Sequence, residues 1–289
     1  MKKKNKIKLI KNDSELDISK IIKDENRLTK PLSLTDCINL SLLVSPDSKS
    51  RLFIKQGKKN KKLTDGKNIY PIKDNCPILY PSCIRKMINK KKLIYNKNFN
   101  TLQQYFFLNQ VKATGSINNS QKESSTRRIY YRIKKFCKNL KGIILDVGGG
   151  DPDVARQFLP VDAKYLCIDP FSGGKKFKLV GMGEILPISD KKIDVVLFNT
   201  SLDHILDYQQ AIEESYRVLK KGGKIVICSN IWFNDASLLK DDVHFHHFRK
   251  SQIMSSLNKT FKVKRILNYE HPKKNVTNRF MMCLLAQKR

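Results

Sequence analysis

The stretch Ile143-Ile144-Leu145-Asp146-Val147-Gly148-Gly149-Gly150-Asp151-Pro152-Asp153 constrains this chain more than any other. Apolar residues surround an acid, three glycines follow, then a polar turn, then Val154-Ala155. That is the profile of a buried strand ending in a tight loop that opens a helix. Glycine suits such a loop because the backbone must turn sharply and lie close against a ligand. A second strand-like run, Lys164-Tyr165-Leu166-Cys167-Ile168, ends in Asp169. Asp169 follows Asp146 by 23 residues, near the ~20-residue offset at which an acid reaches ribose hydroxyls in nucleotide-binding βαβ units. The two features together define a nucleotide-type site.

The 289 residues suffice for one large domain and a small one. No apolar run approaches the ~18–20 residues that span a bilayer. The charged start Met1-Lys2-Lys3-Lys4 leads into no apolar segment, so a secretory signal is not expected. Seven cysteines without a CxxC pair suggest reduced thiols and a cytoplasmic setting. The net charge of +31 is uneven: residues 1–141 hold 34 Lys and Arg against 10 Asp and Glu, a net +24. Such a front half could meet RNA or an anionic membrane surface. An excess of Lys with abundant Asn and Ile is equally what a biased nucleotide composition produces at exposed positions.

Residues 1–39 read as a basic, partly disordered lead. Over 40–81, short β-type runs alternate with Pro, Gly and Asp turns, which describes a small antiparallel β module. Its opening Leu42-Leu43-Val44-Ser45-Pro46 and its close Tyr70-Pro71-Ile72 through Pro77-Ile78-Leu79 resemble the zinc-ribbon family that activates certain methyltransferases. Ser45 and Ser48 stand where that family places its first thiolates, and hydroxyls do not replace zinc ligands. The resemblance implies a ribbon without its metal, held by Leu42, Val44, Leu52, Ile54, Ile69, Ile72, Ile78 and Leu79 and packed on the next domain. Cys76 and Cys83 read as buried thiols.

Residues 82–141 form a helical connector. It has a basic stretch at 85–98, a helical pattern at 99–111, a polar loop, and a helix from Arg127. That last helix places Ile129, Ile133, Phe136, Cys137 and Leu140 on one face. Arg127, Arg128, Arg132, Lys134, Lys135, Lys138 and Lys141 fall on the other face, as a solvated back or an anionic-surface contact.

Residues 142–289 alternate strands and helices, as a parallel sheet covered on both faces requires. Strands are expected at 143–147, 164–168, 178–180, 193–198 and 224–228. Helices are expected at 207–219 and near 250–257. The runs 261–269 and 279–286 are too close for a crossover helix and should pair antiparallel.

The order Leu145-Asp146-Val147-Gly148-Gly149-Gly150, Ile168-Asp169, Gly183-Glu184-Ile185-Leu186-Pro187, Ile193-Asp194-Val195-Val196, Asp203-His204-Ile205 and Arg217-Val218-Leu219-Lys220-Lys221-Gly222-Gly223 resembles the class I S-adenosylmethionine-dependent methyltransferases. The likeness is to the broad small-molecule branch that includes quinone and lipid methylating enzymes. It implies an α/β fold: a Rossmann-like seven-stranded methyltransferase sheet, here with the small N-terminal β module in front. By the same resemblance the backbone of Gly148 to Gly150 passes beside the amino-acid and ribose parts of the cofactor, with Asp146 at its lip. Asp169 takes the ribose hydroxyls, Met182-Gly183-Glu184 flanks the adenine, and Asn199 closes the set. Asp151-Pro152 departs from the usual third glycine.

His204, just past strand four, and His246, within Asp242-Val243-His244-Phe245-His246-His247-Phe248, are the candidate catalytic residues. The three histidines of that segment allow structural, acceptor-contacting and metal readings; a metal site is not expected. The chain is thus expected to be a methyltransferase using S-adenosyl-L-methionine on O or N of a small-molecule, glycan or lipid-intermediate acceptor. An RNA methyltransferase and a non-catalytic partner-docking protein are the alternatives.

Overall fold

The computed structural model describes residue 9 and residues 28–57, 60–90, 132–134, 136–171, 176–233, 244–271 and 276–289. The helical pattern expected at 99–111 and the start of the helix at Arg127 lie outside the described residues.

The parallel centre of the sheet comes from the longest apolar runs. In chain order it uses β1 (Lys30–Pro31), β6 (Ile143–Val147), β7 (Lys164–Asp169), β8 (Leu179–Val180), β9 (Ile193–Asn199), β10 (Leu219–Trp232), β11 (Phe261–Glu270) and β12 (Arg279–Lys288). The order is β1-β7-β6-β9-β10-β12-β11. β12 runs antiparallel to both its neighbours, as the short connection requires. Seven strands are expected and the described residues hold eight, because the outer edge of β7 is covered in two pieces. β1 pairs with Lys164 and Tyr165, and β8 pairs with Ile168 and Asp169. The supposed lead is therefore structured over 30–39: after β1, Ser33 caps the helix Leu34–Asn39 through a reciprocal pair with Asp36. β10 reaches Trp232, beyond the expected 228, because β12 keeps pairing with it as far as Trp232–Arg279.

The small module is a four-stranded sheet of β2 (Phe53–Gln56), β3 (Lys61–Thr64), β4 (Ile69–Lys73) and β5 (Cys76–Pro77). One apolar cluster runs from its Leu42, Leu43, Leu52, Leu63, Tyr70 and Leu79 into Ile188 and into Leu145, Ile168 and Val196 of the large sheet. Backbone bonds stitch the two together, from Ser189 N to Leu42 O (2.7 Å), Val44 N to Pro187 O (3.1 Å) and Leu79 N to Val180 O (2.7 Å). Two residues expected in this core, Ile54 and Ile69, are instead exposed, at 37% and 47%. The module's buried layer faces the large sheet, so its outer residues meet solvent. Ser45 is fully buried and its Oγ pairs with the Tyr70 hydroxyl (2.7 Å), while Ser48 Oγ donates to Asp65 (2.5 Å).

Glu214, on the helix Tyr208–Val218, anchors the junction. Its carboxylate accepts from Arg217, from Lys49 Nζ of the module (3.1 Å) and from Leu186 N (2.8 Å). These partners hold it below the usual carboxylate range against a raising burial effect. Glu214→Gln is expected to lower stability by about 2 kcal/mol, read from a urea midpoint. An unchanged midpoint would mean the cluster is not a clamp.

Behind the sheet, residues 132–134 and 136–137 are helical. Ile133, Phe136, Cys137 and Leu140 pack on Ile144, Tyr165 and Cys167. Arg132, expected on the solvated face, is buried: its Nη1 donates to Glu270 O (2.7 Å) and its guanidinium lies over Tyr269. No helix among the described residues is long and apolar enough to cross a membrane.

Candidate functional site

β6 lies between β7 and β9, so the chain crosses over on both sides of it and a crevice opens at the strands' carboxyl ends. A small, partly open cleft occupies that place. Its walls are Val147-Gly148, Ile168 and Pro170, Gly181 to Glu184, His204 to Leu206, and Phe245. Of the residues singled out from sequence, Gly148, Gly183, Glu184 and His204 line it directly. Asp146, Gly150, Asp169, Asn199 and His246 do not line it.

The glycine loop is shaped by its neighbours. Gly148 has φ +75°, and a Cβ there would meet Ser201 Cβ at 2.6 Å. Ser201 Oγ in turn donates to Val147 O (2.5 Å), locking the loop to the end of β9. At Gly149 a Cβ would strike the Asp146 carboxylate at 2.5 Å. Asp146 is thus not at the loop's lip but beneath it. Strand alternation sends it to the same side as Ile144, where Tyr165 OH donates to its Oδ2 (2.8 Å). Burial raises its pKa to about 7. The odd Asp151-Pro152 has a plain role. Asp151 is the N-cap of the helix Pro152–Arg156, its side chain accepting from Asp153 N, and Pro152 takes the first helical position.

Asp169 ends β7, 4% exposed. Its Oδ2 accepts from Gly150 N (2.9 Å) and its Oδ1 from Phe171 N (2.9 Å). Each carboxylate oxygen has two lone pairs, so each keeps one for a ligand. Lys178 was read from sequence only as part of a strand. Buried just before β8, it sits 3.9 Å from Asp169 Oδ1 and donates to Gly150 O (3.0 Å). A lysine opening a buried strand was the available signal. Tyr80, from the small module, donates its hydroxyl to Pro170 O, so the module braces this wall.

On the opposite wall, burial pushes Glu184 up to about 7, against backbone donors that include Asp207 N (3.5 Å). Asn199 is buried at the end of β9, on the same face as Leu197, whose partner across the sheet is Asp146. Asp146 Oδ1 and Asn199 Oδ1 are both buried and without a hydrogen-bond partner. Two such acceptors on one face of adjacent strands suit a donor-rich cationic group, because leaving them unmet is costly. Thr200 follows in a left-handed conformation, φ +52°, strain that concentrates at binding edges.

His246 is engaged elsewhere. Its Nε2 faces Ile205 O (2.9 Å) and Leu206 O (3.0 Å), so that nitrogen carries the proton, and the ring stacks on Phe248. It fixes the 204–207 turn rather than reaching the cleft. His247 stacks on Trp232.

Residues 145–227 match the family described as "Methyltransferase domain". Among curated relatives, the ubiquinone/menaquinone biosynthesis C-methyltransferase of Geotalea daltonii is 31% identical over 143 residues, 43% of this chain and 57% of that protein. The demethylmenaquinone methyltransferase of Streptomyces griseus is 44% identical over 94 residues, 29% of this chain and 41% of that protein. The chain thus spans about half the length of the curated relatives it matches. Among solved structures, the Burkholderia thailandensis 1,6-didemethyltoxoflavin-N1-methyltransferase, bound to 1,6-didemethyltoxoflavin and S-adenosylhomocysteine, is 14% identical with a TM-score of 0.49. It covers 63% of this chain and 85% of that one. The glycine loop and the acid ending β7 lie in the matched segment, and residues 145–227 are similar to the methyltransferase-domain family.

Proposed function

We propose that the chain binds S-adenosyl-L-methionine in this cleft and transfers its methyl group to O or N of a small-molecule, glycan or lipid-intermediate acceptor. The observation that carries the reading is the placement of acceptors. Asp169 retains a lone pair on each oxygen, Asp146 holds a buried unmet oxygen beneath the glycine loop, and Asn199 holds another at the end of β9. When bound, the cofactor supplies a methyl group already activated by its sulfonium.

The chain's own residues then bind and orient. Asp169 accepts from the ribose hydroxyls through charge-assisted bonds. Asp146 and Asn199 accept from the ammonium of the methionine part. Met182 and Gly183 offer an apolar wall to the adenine, where Gly183 is held to a hydrogen by Ile205 and Val147, whose side chains would lie 2.8 Å and 3.0 Å from a Cβ. Most of the acceleration comes from orientation and exclusion of water, since in-line displacement needs alignment above all. His204 stands on the wall to take or steer an acceptor proton. A carbon acceptor, as in the Geotalea relative's name, would need the same service.

Calorimetry of the full chain with S-adenosylmethionine tests the reading. Saturable heat is expected, with a rise in Tm worth about 2.7 kcal/mol at a hundredfold excess over Kd. No heat and no thermal shift at millimolar cofactor would refute it.

A further inference from the structure

The strongest unassigned cluster borders the cleft. Asp203 and His204 lie in the short turn Leu202–His204 after β9, and His244 enters from the segment that leads to the helix Lys250–Asn258. One ligand-type atom from each lies within 4.8 Å of the other two. The two segments are zipped together at this point: Phe245 N and His246 N both donate to Asp203 O, at 2.9 and 3.2 Å. The site therefore does not depend on a loose loop.

The distances separate a cation site from a hydrogen-bonded relay. His244 Nε2 is 4.0 Å from Asp203 Oδ2, too far for a hydrogen bond, and the His204 and His244 rings meet face to tilted face at 4.6 Å between centroids. Two atoms each ~2.1 Å from a common ion lie at most ~4.2 Å apart. Small side-chain shifts bring all three within that limit. Asp203 supplies the second, independent sign: it is 3% exposed, and its Oδ1 is buried with no hydrogen-bond partner. A buried carboxylate with an unmet oxygen, beside two imidazoles, is a group waiting for positive charge.

We propose that Asp203, His204 and His244 bind a divalent first-row transition-metal ion. Two imidazoles and one carboxylate leave coordination positions open, and such a set suits zinc, cobalt, iron or manganese over magnesium or calcium. His204 is on the cleft wall, so an ion it helps to hold borders the cleft. An acceptor hydroxyl or water there would lose its proton to solvent more readily, as metal-bound oxygens do. The acceptor oxygen's electron pair then forms the bond to the methyl carbon as the carbon–sulfur bond breaks, its electrons staying on sulfur. In this arrangement His204 is a ligand and no longer a base. This use rests on the methyltransferase reading; the existence of the site does not.

Cobalt(II) titration of the full, cofactor-free chain, followed by visible absorption, tests the site apart from cofactor binding. One equivalent is expected, displaced by zinc. Asp203→Asn and His244→Ala should each weaken it at least about tenfold, a loss of ~1.4 kcal/mol, with circular dichroism and Tm confirming a folded chain. His244→Gln replaces His244→Ala should the latter not fold. No saturable cobalt spectrum, as a purely hydrogen-bonded cluster would give, overturns the proposal. So does a spectrum that persists in both variants, which would place the ion on other histidines or cysteines.

Discussion

Asp169→Ala lowers affinity for S-adenosylmethionine by about 100- to 10,000-fold, measured by calorimetry. Two hydrogen bonds to a charged acceptor are lost, each worth ~1.5–3 kcal/mol, and tenfold in affinity is ~1.4 kcal/mol. The substitution has a second consequence. Lys178 is 4% exposed, and Asp169 is its nearest carboxylate, at 3.9 Å. Removing Asp169 leaves a buried ammonium with the Gly150 carbonyl, at a cost on the order of 3 kcal/mol. Gly150 N and Phe171 N lose their acceptor as well. Lost affinity could then be mistaken for simple unfolding. Asp169→Ala combined with Lys178→Met separates the two: stability should largely return while affinity stays low. Asp169→Asn keeps one acceptor oxygen without charge and should fall in between. Wild-type affinity in Asp169→Ala would remove the acid at the end of β7 from the cofactor's ribose.

Much of this was legible in the sequence where a single local rule decides. Continuous apolar runs gave β6, β7 and β9, and the short 271–278 connection gave the antiparallel end of the sheet. The direction of Asp146 was also readable. Alternation along β6 puts it with Ile144 and opposite Leu145 and Val147, but a motif that ends in a ligand loop draws attention to the loop instead. Asp151-Pro152 looked like a damaged glycine loop and is a helix start, which capping rules describe fully. What sequence could not show is proximity made by the fold. Arg132 belongs to a basic helical face by spacing, yet the ring of Tyr269 and the carbonyl of Glu270 take it inside. Ile54 and Ile69 alternate as core residues should, but the module buries only the face turned to the large sheet. Lys178 meets Asp169 across nine residues of chain, and His244 meets Asp203 across forty-one, so neither pair leaves a local pattern.

Between about pH 4 and 7 the cofactor-free protein loses stability as pH rises. Asp146 and Glu184 both have pKa values raised by burial from the ordinary carboxylate range to about 7. In that window the unfolded chain has released these protons while the folded chain still holds them. The folded state binds more protons, so stability falls with pH, by up to about 1.4 kcal/mol per pH unit for each group. Above 7 both states are ionised and the loss levels off. Asp146→Asn removes one of the two slopes and raises Tm at pH 8, because an amide carries no charge to desolvate and can still accept from Tyr165 OH. The same variant should bind S-adenosylmethionine at least about tenfold more weakly, since the ammonium then meets no carboxylate. Wild-type affinity should climb toward pH 7 as Asp146 ionises. It should turn down above about 8, where an α-amino group gives up its proton. Stability and binding thus pull on one carboxylate in opposite directions, the usual state of a polar group kept for its ligand. An Asp146→Asn protein no more stable at pH 8 than wild type, with the slope intact, would assign the strain to another residue.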